Sequence, residues 1–288
     1  QVRTIRMRST VQDIDKVGVG ERLMRVATEA VDDGVNAGAV FTKISLTTKK
    51  LRLDWELSTE SLEDNIEGAE LEDHIARLMA TQAGNDIEDV AINGNTALTS
   101  DPLLKAFDGW RKLALAGGHV IDHAGGALNR AAANKALKAM PRKYMQRRNG
   151  LKFFTGSNLI QDYLYGLTQV DGSLISLEQV AQGVTQGNVR TEGAAGFNSV
   201  PMFGIPTQEV PLFLETGDGD YSGATGDHGD LWLTFPKNML WGVKREIQVY
   251  REFKPKKDTI EYTMYCRVGT QIENADAFVV VKNIKVSA

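Results

Sequence analysis

The most regular pattern in the first third of the chain is an alternation of apolar and polar residues. Leu51, Leu53 and Trp55 alternate with charged residues, and upstream Ile44 and Leu46 alternate with polar neighbours. A period of two places one row of apolar side chains on one face of a β-strand. We therefore predict one extended segment over residues 39–57, which would reach about 60 Å if it were continuous, at about 3.3 Å per residue.

A helical period follows this segment. Apolar residues recur every three or four positions at Leu71, Ile75, Met79, Ala83, Ile87 and Val90. This spacing predicts a helix that starts near Ser58 or Ser61 as its N-cap and ends at the glycine turn 93–95. Its acidic residues are Glu60, Glu63, Asp64, Glu67, Glu70, Glu72 and Asp73. They are too evenly spread for a pair of catalytic carboxylates, so we interpret the helix as a strut with one charged face.

The rest of the chain alternates short elements with glycines. We predict a second domain over about 98–245, with a helix at 128–145 interrupted by Pro141, a strand at 151–155, a helix at 158–167, a strand at 201–206 and a surface loop at 217–230. A hairpin with one buried face should follow at 247–268, and 278–281 should be a central strand.

The first residues carry Arg3, Arg6 and Arg8 but little periodicity, which is typical of an extended arm. The turn-rich stretch 32–38 should reverse a hairpin. An arm and a hairpin without a core of their own must bury their apolar residues on other subunits. The chain begins at Gln1, which we interpret as a removed leader or a trimmed chain.

Composition and charge narrow the function classes. The 288 residues are 42% hydrophobic, enough for a substantial core, and 33 Lys plus Arg against 37 Asp plus Glu give a net charge of -4. That balance argues against tight, sequence-reading DNA binding. A single cysteine, Cys266, excludes an internal disulfide or a thiolate metal cluster and suits a reducing cytoplasm. No apolar run approaches the roughly 20 residues that span a bilayer, so we predict no membrane partner.

One stretch resembles half of a calcium-binding loop. Asp218, Asp220, Ser222 and Gly223 match its first half, but Gly229 stands where the bidentate glutamate should be. We interpret this stretch as a surface loop. The alternative is a weak cation site.

The histidines and the basic residues do not indicate a metal site or a catalytic site either. His119 and His123 are four apart but bracketed by glycines, which predicts exposed loop histidines and no metal site. The basic residues Lys43, Lys49, Lys50 and Arg52 indicate a solvated or subunit-facing surface, with nucleic-acid phosphate as the alternative partner. Phosphate loops, nucleophile elbows and kinase signatures are absent from the sequence, so we predict no catalytic residue and no cofactor.

Three stretches resemble the major capsid proteins of tailed bacteriophages of the Hong Kong ninety-seven type. Residues 50–95 resemble the end of the extended loop and the spine helix of that family. Residues 200–211 resemble a late strand of its axial domain, and residues 261–283 resemble its closing strands. The order of these stretches carries the resemblance more than any single motif does.

The resemblance implies an α+β phage major capsid fold. It would divide the chain into an N-terminal arm at 1–21, an extended hairpin loop at 22–58, a peripheral domain with the spine helix at 59–99 and 246–275, and an axial domain at 100–245 and 276–288. The candidate residues for contacts between subunits are Arg3, Arg6, Arg8, Lys43, Leu51, Leu53 and Trp55.

The same resemblance implies a structural protein that assembles with itself. Copies would form hexamers and pentamers of an icosahedral shell around double-stranded DNA, contacted without sequence specificity, in a virion capsid assembled in the host bacterial cytoplasm. A portal, a scaffold or maturation protease and, as an open point, a decoration protein would be its partners. Two alternatives stay open: an encapsulin-like bacterial nanocompartment, and a ligand-binding module within 98–245.

One branch of the family joins a lysine of the extended loop to an asparagine of a neighbour, with a glutamate nearby as the base. Lys43 stands where that lysine would be, but Arg267 replaces the glutamate and the asparagine position falls near Ile260. We therefore predict a shell without covalent links between subunits.

Overall fold

The computed structural model describes residues 2–19, 26, 39–60, 70–99, 101–169, 201–217 and 220–287. Its strands are β1 Arg3–Arg6, β2 Val11–Val19, β3 Ala39–Thr47, β4 Lys49–Ser58, β5 His119–Asp122, β6 Lys152–Thr155, β7 Thr207–Glu209, β8 His228–Thr234, β9 Met239–Lys254, β10 Thr259–Ile272 and β11 Phe278–Lys285. Its helices are α1 Glu70–Asn93, α2 Trp110–Gly117, α3 Arg130–Ala139, α4 Arg142–Met145 and α5 Ser157–Gln169. This mixture confirms the predicted α+β class.

The first sheet carries the long helix on one face. Its strand order is β1-β9-β10-β4, with β10 antiparallel to both β4 and β9. Ala83 and Ile87 of α1 line a cavity of 190 Å³ together with Leu51, Leu53 and Met264 of the sheet. The predicted apolar stripe therefore faces β4 and β10.

The predicted C-terminal end of α1 can be compared with the structure, whereas its predicted start cannot. Val90, near the C-terminal end of α1, is fully buried against Phe107, Cys266 and Val268. Gly94 follows because a Cβ there would overlap the Val90 carbonyl oxygen. The predicted start of the helix near Ser61 lies outside the described residues.

The second sheet is covered on both faces. Its order is β5-β11-β8-β6-β7. One face contributes Phe153, Leu231, Leu233, Val279 and Val281 to a cluster with α3 and α5. The other contributes Phe154, Trp232, Phe278 and Val280 to a cluster with α2 and the end of α1. Burial of both faces explains why β8 and β11 are apolar at consecutive positions, and it confirms 278–281 as a central strand.

The predicted continuous segment over residues 39–57 is broken at Thr48. The Thr48 backbone amide and hydroxyl both donate hydrogen bonds to the Thr10 carbonyl oxygen, at 2.9 and 3.1 Å. β3 before this point pairs with β2, whereas β4 after it pairs with β10. The prediction of one strand of about 60 Å is therefore wrong.

The N-terminal residues are also paired within their own chain. β1 runs parallel to β9, from Arg3 beside Leu240 to Arg6 beside Val243. β2 pairs antiparallel with β3 over nine residues. The expectation that an arm over residues 1–20 has no partner in its own chain is wrong for these two strands. The four domain boundaries themselves stay a prediction.

Other sequence predictions have mixed outcomes. The interrupted helix, the strand at 151–155, the helix at 158–167 and the pairing of the hairpin at 247–268 are confirmed. The predicted strand at 201–206 is a tight turn instead, in which Met202 and Ile205 exchange backbone hydrogen bonds. Phe203 and Gly204 adopt φ of 53° and 75° there, which a strand does not allow. The strand begins only at Thr207.

The last hairpin is buried on one face only along β10. Ile260, Tyr262 and Met264 of β10 are buried. Val249 and Phe253 of β9 lie on the same face and remain about half exposed. The prediction of a buried face is therefore right for β10 and wrong for the outer half of β9.

Candidate assembly surfaces

The β2–β3 hairpin presents apolar side chains that its own chain leaves uncovered. In the described part of the chain, β2 and β3 form a sheet of only two strands. Val17 and Phe41 are directly opposite each other, and their exposed fractions are 62% and 73%. Val11 and Val40 are about half exposed. A two-stranded hairpin with uncovered apolar residues is marginal by itself in water, and it is suited to packing on another surface.

The base of the hairpin is fixed to the first sheet by a pair of glycines. Gly242 and Gly269 are opposite each other on β9 and β10. Buried Leu46 and Met7 lie over Gly242, where a Cβ would stand 2.8 Å from each. A Cβ on Gly269 would overlap the Thr47 carbonyl oxygen. The hairpin therefore projects from a tightly packed joint.

Two of the predicted interface arginines, Arg3 and Arg6, lie on β1 at the edge of the first sheet. Arg3 pairs with Glu273 at 2.9 Å and Arg6 pairs with Glu246 at 3.0 Å. The Arg8 side chain is exposed. Because exposed ion pairs contribute about 0–1 kcal/mol, Arg3 and Arg6 can exchange these partners at little cost. Their role between subunits stays a prediction.

The other interface candidates separate into two places. Lys43 is exposed on β3, opposite Asp15 of β2. Leu51, Leu53 and Trp55 are half-buried in their own chain, on the face of β4 under α1. The Trp55 ring stacks on Tyr262, with centroids 5.1 Å apart and an angle of 5° between the planes. The structure does not bring these three to the hairpin, and their role between subunits stays a prediction.

Sequence reasoning missed the most exposed apolar residues of the hairpin. Val11, Ile14 and Val17 recur along β2, but charged residues separate them and weaken the pattern. Phe41 lies two residues before Lys43, among residues whose sequence does not show a partner for it. The signal that identifies these residues is the pairing of β2 with β3, which places Val17 against Phe41.

The stretch that resembles half a calcium loop has protein partners instead. Asp220 accepts hydrogen bonds from Lys282 Nζ at 2.6 Å and Asn283 Nδ2 at 2.5 Å. The Lys282 ammonium, followed by the Asn283 amide, holds the pKa of the Asp220 carboxyl below its usual range. Asp218 lies outside the described residues. Across the described ranges, no group of three or more His, Cys, Asp and Glu side chains is arranged to hold a metal ion.

The two predicted loop histidines differ in position. His123 follows β5 and its Nε2 lies 3.2 Å from the Ala127 carbonyl oxygen. His119 lies within β5, so the loop prediction is wrong for it, because β5 pairs with β11 through this residue. Its Nε2 is 3.0 Å from an Asp276 oxygen. Both histidines thus have structural partners.

The predicted basic stretch is divided between two elements. Lys43 lies on the hairpin, whereas Lys50 and Arg52 lie on β4. Arg52 pairs with Asp54 at 2.8 Å, and Lys50 lies beside Arg267 in the sheet register. Among the helices that the structure describes, none combines the length and apolar character needed to cross a bilayer.

Comparison with known proteins agrees with this architecture. The chain is 28% identical over 289 residues to a protein of Bacillus subtilis (strain 168) described as prophage capsid protein YqbE, covering 98% of this chain and 85% of that protein. No protein-family model matches the chain.

Solved structures of phages and of an encapsulin share its fold. A subunit of the satellite phage P4 procapsid with its size determination protein superposes with a TM-score of 0.66 at 13% identity, over 99% of this chain and 86% of that one. The structure of Microbacterium phage Oxtober96 gives 0.61 at 16% identity, over 97% and 88%. An encapsulin of Synechococcus elongatus PCC 7942 gives 0.58 at 9% identity, over 99% and 86%. The chain is therefore similar in sequence to a capsid protein, and it has the fold of phage major capsid proteins of the Hong Kong ninety-seven type.

Proposed function

We propose that copies of this chain form the hexamers and pentamers of an icosahedral shell around double-stranded DNA, and that the β2–β3 hairpin of one subunit packs on a neighbour. The observation that carries this proposal is the exposed pair of Val17 and Phe41 on a hairpin whose base is fixed by Gly242 and Gly269. Because their own chain leaves Val17 and Phe41 exposed, another subunit is needed to cover them.

The proposed role is structural and not enzymatic. It extends to assembly in the bacterial cytoplasm, and to a portal, a scaffold or maturation protease and a decoration protein as partners. Support for these finer points comes from the family resemblance. An encapsulin-like compartment is the second candidate, because an encapsulin superposes on the same fold.

Replacement of Phe41 tests the hairpin. Because Phe41 is 73% exposed, Phe41→Ser should leave the melting temperature of the unassembled subunit unchanged, since surface substitutions usually stay within about 0.5 kcal/mol. The same change should abolish closed shells, seen by light scattering and negative-stain microscopy. The matched control is Phe41→Leu, which keeps an apolar side chain and should still assemble. Normal shells from Phe41→Ser would refute the role of the hairpin.

The contents of the particles separate the two candidate functions. Particles recovered from the bacterial host should protect double-stranded DNA from added nuclease. Protein cargo without protected DNA would instead identify a nanocompartment shell.

A further inference from the structure

A cluster of four cations lies on the face of the first sheet that points away from α1. Lys50, Lys244, Arg245 and Arg267 line a cavity of 330 Å³. Lys50 precedes Leu51, whose side chain packs under α1, so the alternation along β4 directs Lys50 to the opposite face. The cavity is formed within one chain and therefore does not depend on the proposed shell.

The strand register places three of these cations in a single row. Arg267 of β10 is directly opposite Lys50 of β4 on one side and Arg245 of β9 on the other. Like charges that stand directly opposite each other on neighbouring strands destabilise a sheet. A row of three is therefore a cost to the fold unless an anion lies between them.

The fourth cation reaches the same cavity through an irregularity in β9. Consecutive residues of a regular strand point to opposite faces, yet Lys244 and Arg245 both line the cavity. The register between β9 and β10 shifts on both sides of Arg267, which marks a bulge at this row. Bulges re-aim side chains and are frequent beside functional sites. The bulge thus adds a cation to a row that already repels itself.

Several other cations on β4 and on the β9–β10 hairpin form ion pairs with carboxylates, whereas none of these four does so within the described residues. Arg52 pairs with Asp54, Lys257 pairs with Glu56 at 3.2 Å, and Lys254 pairs with Glu261.

The partners of the cavity cations are neutral. Lys244 Nζ and an Arg267 guanidinium nitrogen lie 2.9 and 3.2 Å from the Thr10 hydroxyl oxygen, and Lys50 Nζ lies 3.9 Å from the Tyr265 ring centroid. Within the residues that the structure describes, no carboxylate forms an ion pair with any of the four cations.

We propose that this cavity binds a phosphate group. Two guanidinium groups and two ammonium groups offer more hydrogen-bond donors than the two oxygens of one carboxylate can accept. They also carry more positive charge than one carboxylate can neutralise. A phosphate presents three or four oxygens, and arginine binds it through two parallel hydrogen bonds. The phosphate is either free in solution or part of a nucleic-acid backbone. These two sources share one chemistry, and binding experiments distinguish them.

Thermal denaturation tests the site directly. Phosphate should raise the melting temperature of the wild-type protein by about 2–4 °C over sodium chloride of equal ionic strength, because it binds only the folded state. Arg245→Gln and Arg267→Gln should lose most of that rise. The matched control is Lys257→Gln, which removes one charge outside the cavity and should keep the rise.

The same variants carry a second readout without phosphate. At low ionic strength Arg245→Gln should raise the melting temperature slightly, because it relieves repulsion within the row. If Arg245 belonged to an ordinary surface ion pair, its replacement would lower the melting temperature instead. Lys257→Gln is the comparison, because this change breaks an ion pair with Glu56.

A duplex DNA oligonucleotide distinguishes the two sources of phosphate. If the backbone is the ligand, fluorescence anisotropy should show weaker binding by Arg245→Gln and a salt slope reduced by about 1, while Lys257→Gln binds as wild type. A phosphate-dependent melting shift without this DNA effect would assign the site to free phosphate.

Two outcomes would overturn the proposal. Equal melting temperatures of the wild type in phosphate and chloride would exclude a phosphate site. If Arg245→Gln then also prevented subunits from associating, the cavity would serve an acidic segment of another copy instead.

Discussion

Single polar side chains fix the joints between elements, and Asp276 is the clearest example. Its carboxylate accepts a hydrogen bond from Lys143 Nζ at 2.5 Å and lies 3.0 Å from His119 Nε2 and 3.3 Å from the Tyr144 hydroxyl. It thereby connects α4 and β5 to the turn before β11. The Lys143 hydrogen bond, followed by that of His119, holds the pKa of Asp276 below its usual range.

A lowered carboxyl pKa predicts a stability effect that depends on pH. The contribution of Asp276 is present above its unfolded pKa and is lost as the pH falls through its folded pKa. Asp276→Asn should therefore reduce the free energy of unfolding by about 1 kcal/mol at pH 7, since the site is partly exposed. Urea denaturation of both proteins should show the difference vanishing at acid pH. A difference that persists unchanged below the lowered pKa would assign the loss to packing instead of charge.

The apolar stripe of α1 provides a second residue-level prediction. From the sequence alone, Ile75→Asp is expected to cost several kcal/mol. The structure leaves Ile75 half-buried and Val90 fully buried, so the larger penalty should belong to Val90→Asp. The matched control on the same helix is Leu78→Asp, because Leu78 is 57% exposed and should change stability by no more than about 0.5 kcal/mol. Chemical denaturation measures all three, and equal losses at Val90 and Leu78 would show that the wrong helix face is buried.

At the scale of elements, replacing two different glycines by alanine should change the stability of the subunit in opposite directions. Gly269 lies in β10 against the Thr47 carbonyl oxygen, so Gly269→Ala must displace the chain between β3 and β4. It should destabilise the subunit by about 1–3 kcal/mol, as overpacking does. Gly84 lies in α1 with open space around it, so Gly84→Ala should stabilise by about 0.5–1 kcal/mol. Melting temperatures of the two variants should therefore move in opposite directions, and an unchanged or raised value for Gly269→Ala would contradict the tight joint at the hairpin base.

Periodicity predicted elements well and their partners poorly. The apolar spacing from Leu71 to Val90 lies within α1, because a helix buries one stripe whatever it packs on. The alternation across residues 39–57 changes phase between Leu46 and Leu51, with only polar residues at 47–50. That change is compatible with a break, but it does not show that the chain leaves β2 at Thr48 and joins β10. Lys50, Arg245 and Arg267 also form no motif in the sequence. Only the strand register brings these residues, which are far apart in the chain, into one row. The candidate hairpin contacts and the cation cavity thus required the structure.

At the scale of the whole molecule, the described chain divides its apolar surface between two uses. The second sheet buries both faces within one subunit, and α1 covers β4 and β10 of the first sheet. The hairpin and the outer half of β9 keep exposed apolar residues, including Phe41, Val249 and Phe253. A subunit that completes its core and still exposes such residues is suited to packing on other copies of itself.

The last prediction concerns how that assembly is held together. An amide bond between a lysine and an asparagine needs a base to take up the lysine proton. Lys43 is exposed on the hairpin, and the chain has Arg267 at the position where the resemblance described above would place the glutamate. Arg267 stands between Lys50 and Arg245, so an approaching lysine would meet a row of cations instead of a carboxylate. Ile260, near the expected asparagine, is buried and carries no amide.

Shells of this chain should therefore dissociate completely in hot detergent with reductant. A denaturing gel should show one band at the mass of a single chain, because buried hairpin contacts and ion pairs do not survive boiling. A Lys43→Arg variant serves as the control, since it keeps the charge and removes the reacting amine, and it should give the same gel. A ladder of covalent pentamers and hexamers in the wild type that disappears in Lys43→Arg would show that another group acts as the base.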